Sequence, residues 1–268
     1  MTTLLPPRLT ASLYNRPLAL LPNWAWDFAD DTADGIARPA PEVIDGVAII
    51  PVRGVLFNSG AAAKRCSRGP SFWNATYGDI RRAFLAALDA SDVQAIALLC
   101  DSPGGTVEGC FDLAELIYQA RGAKPTHAIL AESAYSAAYA LASACDRISV
   151  PRTGGTGSVG VIAMHADLSG MLDEAGIKVT IIRYGERKAE GGPYEPLSDA
   201  ALARMQADVD TLGELFVDTV ARNRGLKASA VRAQQAGTFL GAAGVEAGLA
   251  DAVAAPDAAF RALLGTFD

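Results

Sequence analysis

Histidine is nearly absent from this 268-residue chain, which has only His127 and His165. A catalytic site that relies on imidazole therefore has at most two places to draw from. Cysteine is also scarce. Cys66, Cys100, Cys110 and Cys145 form no closely spaced pair, and Cys100 and Cys145 lie in or beside apolar runs. This pattern points to buried reduced thiols rather than a disulfide framework or a zinc site. No apolar run approaches the eighteen or so residues of a membrane span. Prolines at 6, 7, 17 and 22 interrupt Leu18-Ala19-Leu20-Leu21, and no basic segment precedes it, so no signal peptide is read. No block of basic residues stands out, the formal net charge is -7 and the isoelectric point is near 4.9. Nucleic-acid and membrane partners are therefore not expected, and a soluble, cytoplasmic protein is.

Half of the residues are hydrophobic and a fifth are charged, an ordinary globular composition. Residues 1–45 read as an N-terminal extension, with a short helix near 25–30. Residues 46–255 read as the main domain, and 256–268 as a C-terminal tail. Val47–Val52, Ala95–Cys100, Thr126–Ala131 and Asp146–Val150 read as strands. The apolar runs among them do not alternate, as in a parallel sheet covered on both faces. Helices are predicted at Tyr77–Ala90, Glu108–Arg121, Leu168–Ala175, from Ser198 to about Asn223, and at Lys227–Gln235. Further strands are predicted at Val159–Met164 and Val179–Tyr184. Alternating strands and helices imply an α/β fold of right-handed βαβ units on a parallel sheet, with helices toward the C-terminus.

Ser133 to Ser143 is the stretch around which the chain is organised. It leaves a buried strand and enters a helix of small side chains. A serine at such a junction exposes its hydroxyl beside free helix N–H groups, which favour developing negative charge. Ser136 is the candidate nucleophile, although the stretch alone better suits a tightly packed helix with Ser136 as its cap or a spacer. A serine also needs a base, either a histidine or a partly desolvated lysine. His127 falls within a strand and reads as structural. His165 follows Val159–Met164 and is a second candidate. Lys188 lies in the polar loop Gly185–Pro196. Asp101-Ser102-Pro103-Gly104-Gly105 ends a buried strand, where its glycines can turn bare N–H groups toward a substrate.

Taken together, four segments resemble the S49 peptidases, the signal peptide peptidase A family. They are Asp101–Gly105, Ala134–Tyr139, Thr156-Gly157-Ser158-Val159-Gly160-Val161-Ile162, and Lys188 in its loop. The resemblance runs from about Val43 to Val253 and implies a ClpP/crotonase-like fold with a Ser–Lys dyad. Ser136 would be the nucleophile, Lys188 the general base, and Gly104 and Gly105 the oxyanion hole. Ser102, Pro103, Tyr135, Gly157 and Ser158 would face the substrate. No cofactor or metal is implied. Leu9–Leu18, Gly160–Ser169 and Gly185–Pro196 are further similar to the phage capsid-assembly protease branch, the minor capsid protein C type. That branch implies scaffold, portal or capsid proteins as substrates, a homo-oligomeric ring, and action in the host cytoplasm or procapsid. Two departures stand out. Ala137-Ala138 replace the glycines that membrane-type relatives carry after the nucleophile. The chain also ends at Asp268 without the long scaffold segment of some phage relatives, which implies a separate scaffold, a truncation or a processed product.

Three rival readings stay open at this level. One is a ClpP-type Ser–His–Asp peptidase using His165 with Asp167. Another is a crotonase-like acyl-CoA enzyme that does not need Ser136. The third is a catalytically inactive structural relative.

Overall fold

The computed structural model describes residues 18–20, 41–58 and 75–267. The expected helix near 25–30 and most of the Gly- and Ser-rich loop after Asn58 lie outside the described residues. The chain forms a mixed α/β structure on a mostly parallel sheet. In chain order the strands are β1 (Leu18–Leu20), β2 (Glu42–Ile44), β3 (Val47–Leu56), β4 (Ala95–Thr106), β5 (Thr126–Ala134), β6 (Arg147–Val150), β7 (Gly155–Gly157), β8 (Thr238–Leu240) and β9 (Ala252–Val253). The main sheet runs β2-β3-β4-β5-β6-β9, with β1 on β4. β3 to β6 and β9 pair in parallel, while β2 and β1 are antiparallel to β3 and β4. Strands Ala95–Cys100 and Thr126–Ala131 are covered on both faces, as their unbroken apolar runs predict. Each fully buried Ile or Leu in them contributes roughly 1.5–3 kcal/mol.

The helices are α1 (Tyr77–Asp89), α2 (Cys110–Gln119), α3 (Ala137–Ser143), α4 (Ser169–Glu174), α5 (Asp199–Arg224), α6 (Ala228–Ala233), α7 (Gly241–Glu246) and α8 (Pro256–Leu264). Their ends follow local chemistry. Thr76 Oγ1 accepts the Asp79 N–H at 3.1 Å to start α1, and Ser198 Oγ accepts the Ala201 N–H at 3.2 Å to start α5. Gly225, at φ 65°, lets α5 stop in the left-handed region, and the Leu226 N–H returns to the Ala221 carbonyl at 2.8 Å. Every residue of α3 is buried. Small side chains suit that place, because a helix wedged into the core has no polar face to present.

Several expectations change here. The helices at 108–121 and 227–235 shorten to α2 and α6. Residues 256–268, expected as a tail, carry α8, which buries Ala259 and Leu263 against Val47, Ala97 and Ile129. Val159–Met164 forms no strand apart from a lone bridge at Ile162, and Val179–Tyr184 forms none at all. Both runs have strand-forming composition. β-propensity reports how well side chains fit a pleated, half-buried surface, and none of residues 160–200 is buried here. Ile182 is 95% exposed and Tyr184 fully so. In α5, Ala201 is buried near the start, and the next buried residue is Phe216. Its first half therefore lies largely open, like the segment before it.

Candidate active site

β5 ends at Ala134, and Ser136 turns the chain into α3. Its backbone sits at φ 52°, ψ −122°, a sparsely populated region for a residue with a side chain. Surrounding bonds hold it there. The Ser136 N–H donates to the Gly157 carbonyl at 2.9 Å, and the Ser136 carbonyl accepts from Ala140 N–H at 2.9 Å. Ser136 is 1% exposed. Among the described residues its hydroxyl reaches the Gly160 carbonyl alone, at 3.5 Å. That length is the limit of a hydrogen bond, so the hydroxyl is close to unspent. The Ala137 N–H opens α3, where the first N–H groups have no acceptor within the helix. A backbone N–H just after a nucleophile is a common oxyanion donor. Residue-type reasoning missed it because any amino acid supplies the same N–H. The available signal was its place, one residue past a serine at a helix start.

β4 runs past the point where β5 turns away, carrying Gly104 and Gly105 to the serine. A methyl group at Gly104 (φ 106°) would stand 3.0 Å from Ser136 Cβ and 2.2 Å from the Ala19 carbonyl oxygen. At Gly105 it would stand 2.0 Å from the Leu56 carbonyl oxygen. Neither position has room for a side chain, so the glycines are there to let backbone approach backbone. The structure thus places Ser136 and Gly104 together, as their sequence order predicts. Ser102, buried one turn earlier, donates its hydroxyl to the Gly54 carbonyl at 2.6 Å and accepts the Gly104 N–H at 3.1 Å. That N–H is therefore engaged within the chain, and Ser102 acts as a brace for the glycine turn. Pro103 is buried beside it. The Tyr135 N–H donates to the Ser102 carbonyl at 3.0 Å, and the Tyr135 hydroxyl lies close against Gly155. The Ser158 N–H donates to the Gly237 carbonyl at 2.8 Å, fixing the Gly157–Ser158 loop over the nucleophile backbone.

The two candidate bases stand elsewhere. Lys188 is exposed in the short 3-10 turn Glu186–Ala189, and no hydrogen bond links it to Ser136 within the chain. The His165 ring donates its Nε2–H to the Gly192 carbonyl at 3.1 Å, and Asp167 is occupied by the Ser169 N–H and hydroxyl. Among the described residues no Ser–His–Asp relay is assembled. His127 is buried against Ser149 Oγ at 2.9 Å. Burial, with Arg147 nearby, pushes its pKa down to about 4, so at neutral pH it is an uncharged structural group. Burial likewise pushes the Cys100 and Cys110 thiols up to about 12, and all three described cysteines are free and buried. They are poor nucleophiles.

The model of the family described as Peptidase family S49 matches residues 119–264. The chain belongs to peptidase family S49. The match spans both Ser136 and Lys188. The chain is also 37% identical over 224 residues to the head-tail preconnector protein GP5 of Enterobacteria phage P21, covering 83% of this chain and 44% of that protein. It is 35% identical over 222 residues to the capsid assembly protease C of Escherichia phage lambda, covering 83% of this chain and 49% of the relative. It therefore spans about half the length of these relatives. In fold it is similar to an enoyl-CoA hydratase from Shewanella pealeana, with a TM-score of 0.52 and 11% identity over 84% of this chain and 72% of that one. At that identity the likeness concerns the crotonase/ClpP-like fold alone. No helix among the described residues is long and apolar enough to cross a membrane.

Proposed function

We propose that the protein is a serine endopeptidase in which Ser136 attacks a peptide carbonyl and Lys188 is its base. The carrying observation is the strained, buried Ser136 set between the Ala137 N–H and the Gly104–Gly105 backbone. Neutral Lys188 takes the hydroxyl proton as the Ser136 oxygen bonds to the carbonyl carbon. The oxyanion rests on the Ala137 N–H. Protonated lysine then gives its proton to the leaving amine, and water repeats the cycle to release the acid.

Lys188 is exposed in a single chain, so the dyad is completed by the Lys188 of a neighbouring copy. The open segment 160–200, with apolar side chains such as Ile182 and Tyr184 in solvent, supports assembly into a homo-oligomeric ring.

The similarity to the lambda capsid assembly protease and the P21 preconnector protein supports scaffold, portal or capsid proteins as substrates. The site of action is then the host cytoplasm or the procapsid. Incubating the protein with candidate scaffold and portal proteins, beside a Ser136→Ala variant, and reading fragments by mass tests this. Fragments are expected from the wild type alone. Identical fragments from Ser136→Ala, or a fluorophosphonate that labels no serine in the assembled protein, would overturn it.

A further inference from the structure

The sheet leaves one edge beside the nucleophile, and the chain fills it with its own segment. The β4–β5 ladder ends at Ser102↔Ala134, because β5 then turns into Ser136 and α3. β4 continues to Thr106. On its other edge it still pairs with β3, Val55 opposite Gly104 and Leu56 opposite Gly105. On the Ser136 side β1 takes over, antiparallel, with Leu18 opposite Thr106, Ala19 opposite Gly105 and Leu20 opposite Gly104. The Ala19 carbonyl oxygen and Ser136 Cβ converge on the same point above Gly104. Ala19 itself is 0% exposed.

An extended backbone, hydrogen-bonded along a strand edge with a carbonyl presented at a serine, is the geometry in which a peptide substrate is read. β1 is three residues long, so few ladder bonds hold it and a competing strand can take its place. We infer that residues 18–20 are an internal pseudosubstrate: they occupy the peptide-binding track along Gly104–Thr106, and an extended peptide with a small residue at the Ala19 position displaces them. The inference rests on Ser136 being the nucleophile of a peptidase. It adds where the substrate backbone runs, in which direction, and what it must evict.

The full chain is compared with Ala19→Arg, which puts a charge where no space is open, and Ala19→Pro, which removes a strand N–H instead. The probe is a fluorescein-labelled peptide of residues 16–22, Arg-Pro-Leu-Ala-Leu-Leu-Pro, followed by anisotropy. Freeing the track is expected to tighten peptide binding about 10-fold, since a ligand loses affinity in proportion to the fraction of sites already occupied. Fluorophosphonate labelling of Ser136 is expected to quicken by a similar factor in the variants, and the unlabelled peptide to slow it again. Equal affinity and equal labelling in wild type and variants would overturn the inference. So would loss of folding in both variants, which would make β1 structural. If no form labels at all, the peptidase reading fails, and the anisotropy ratio still decides whether β1 fills a peptide track.

Discussion

Ser136 is followed by a helix in which every residue from Ala137 to Ser143 is buried, whereas Lys188 stands in a stretch, residues 160–200, where none is. The first region is over-determined. Its backbone is held in a costly conformation by hydrogen bonds with Gly157 and Ala140, and its glycines leave no space for a methyl group. The second region has strand-like composition and no strand to join. One half of the proposed dyad is thus enclosed by the described residues, and the other half stands open among them. On the proposed pairing between copies, activity is expected to depend on assembly.

The largest effect that could break this contrast is at Lys188. Lys188→Ala is expected to lower peptide hydrolysis on the order of 10⁴-fold, with the thermal midpoint of the chain unchanged. Mixing Lys188→Ala with Ser136→Ala is expected to restore part of the activity, because each supplies what the other lacks. Activity that stays absent after mixing would place both groups in one chain.

Gly104→Ala comes next. Its methyl would press on the Ala19 carbonyl and Ser136 Cβ. A loss on the order of 10² in rate is expected from the misplaced serine, with some loss of stability. Wild-type activity would show that the turn near Ser136 is not used in catalysis.

His127 sharpens the contrast from the buried side. Its folded pKa of about 4 lies below the ordinary 6.5, so between those values the unfolded chain takes up a proton that the folded chain refuses. The stability is complete above pH 6.5 and is lost as pH falls toward 4, by about 3 kcal/mol. His127→Gln, which can keep a hydrogen bond to Ser149, is expected to flatten that slope in urea titrations. An unchanged slope would mean another group is responsible.

The smallest effect is expected at Ile182→Ser. Being solvated, it should shift the stability of the single chain by no more than ~0.5 kcal/mol. It should still weaken assembly, read by sedimentation. Assembly unaffected by this change would remove Ile182 from the contact between copies.

How far the sequence alone reaches depends on what each segment packs against. Ala95–Cys100 and Thr126–Ala131 were legible as covered parallel strands because their apolar runs are unbroken. The family resemblance implied one site from Gly104–Gly105, Ser136 and Gly157–Ser158, and in the structure Gly104 and Gly157 lie against Ser136. Val179–Tyr184 misled because composition states only that a segment suits a sheet, and no strand among the described residues pairs with it. β1 was hidden for the opposite reason. Leu18-Ala19-Leu20 sits among prolines and reads as extension, and only the end of β5 reveals the edge it fills. α8 was read as tail because its burial depends on Val47, Ala97 and Ile129, all far away in sequence.

The far end of the nucleophile helix carries a consequence for the order in which the molecule matures. The Arg121 guanidinium gathers the carbonyls of Ser143, Ala144 and Cys145 at 2.9, 2.8 and 2.6 Å. It also reaches that of Asn223 at 3.1 Å, 102 positions along the chain. The Asn223 amide in turn donates to Ser143 Oγ at 3.0 Å. A clasp between such distant partners forms only after the intervening loop has closed, which is slow compared with local helix formation. Reactive Ser136 should therefore emerge in the last phase of refolding, after the helical signal is complete, and pulse labelling with a fluorophosphonate would time it. On the proposed assignment, the nucleophile is set only once α5 has docked, so the sequence distance between Arg121 and Asn223 would delay its chemistry in the growing chain.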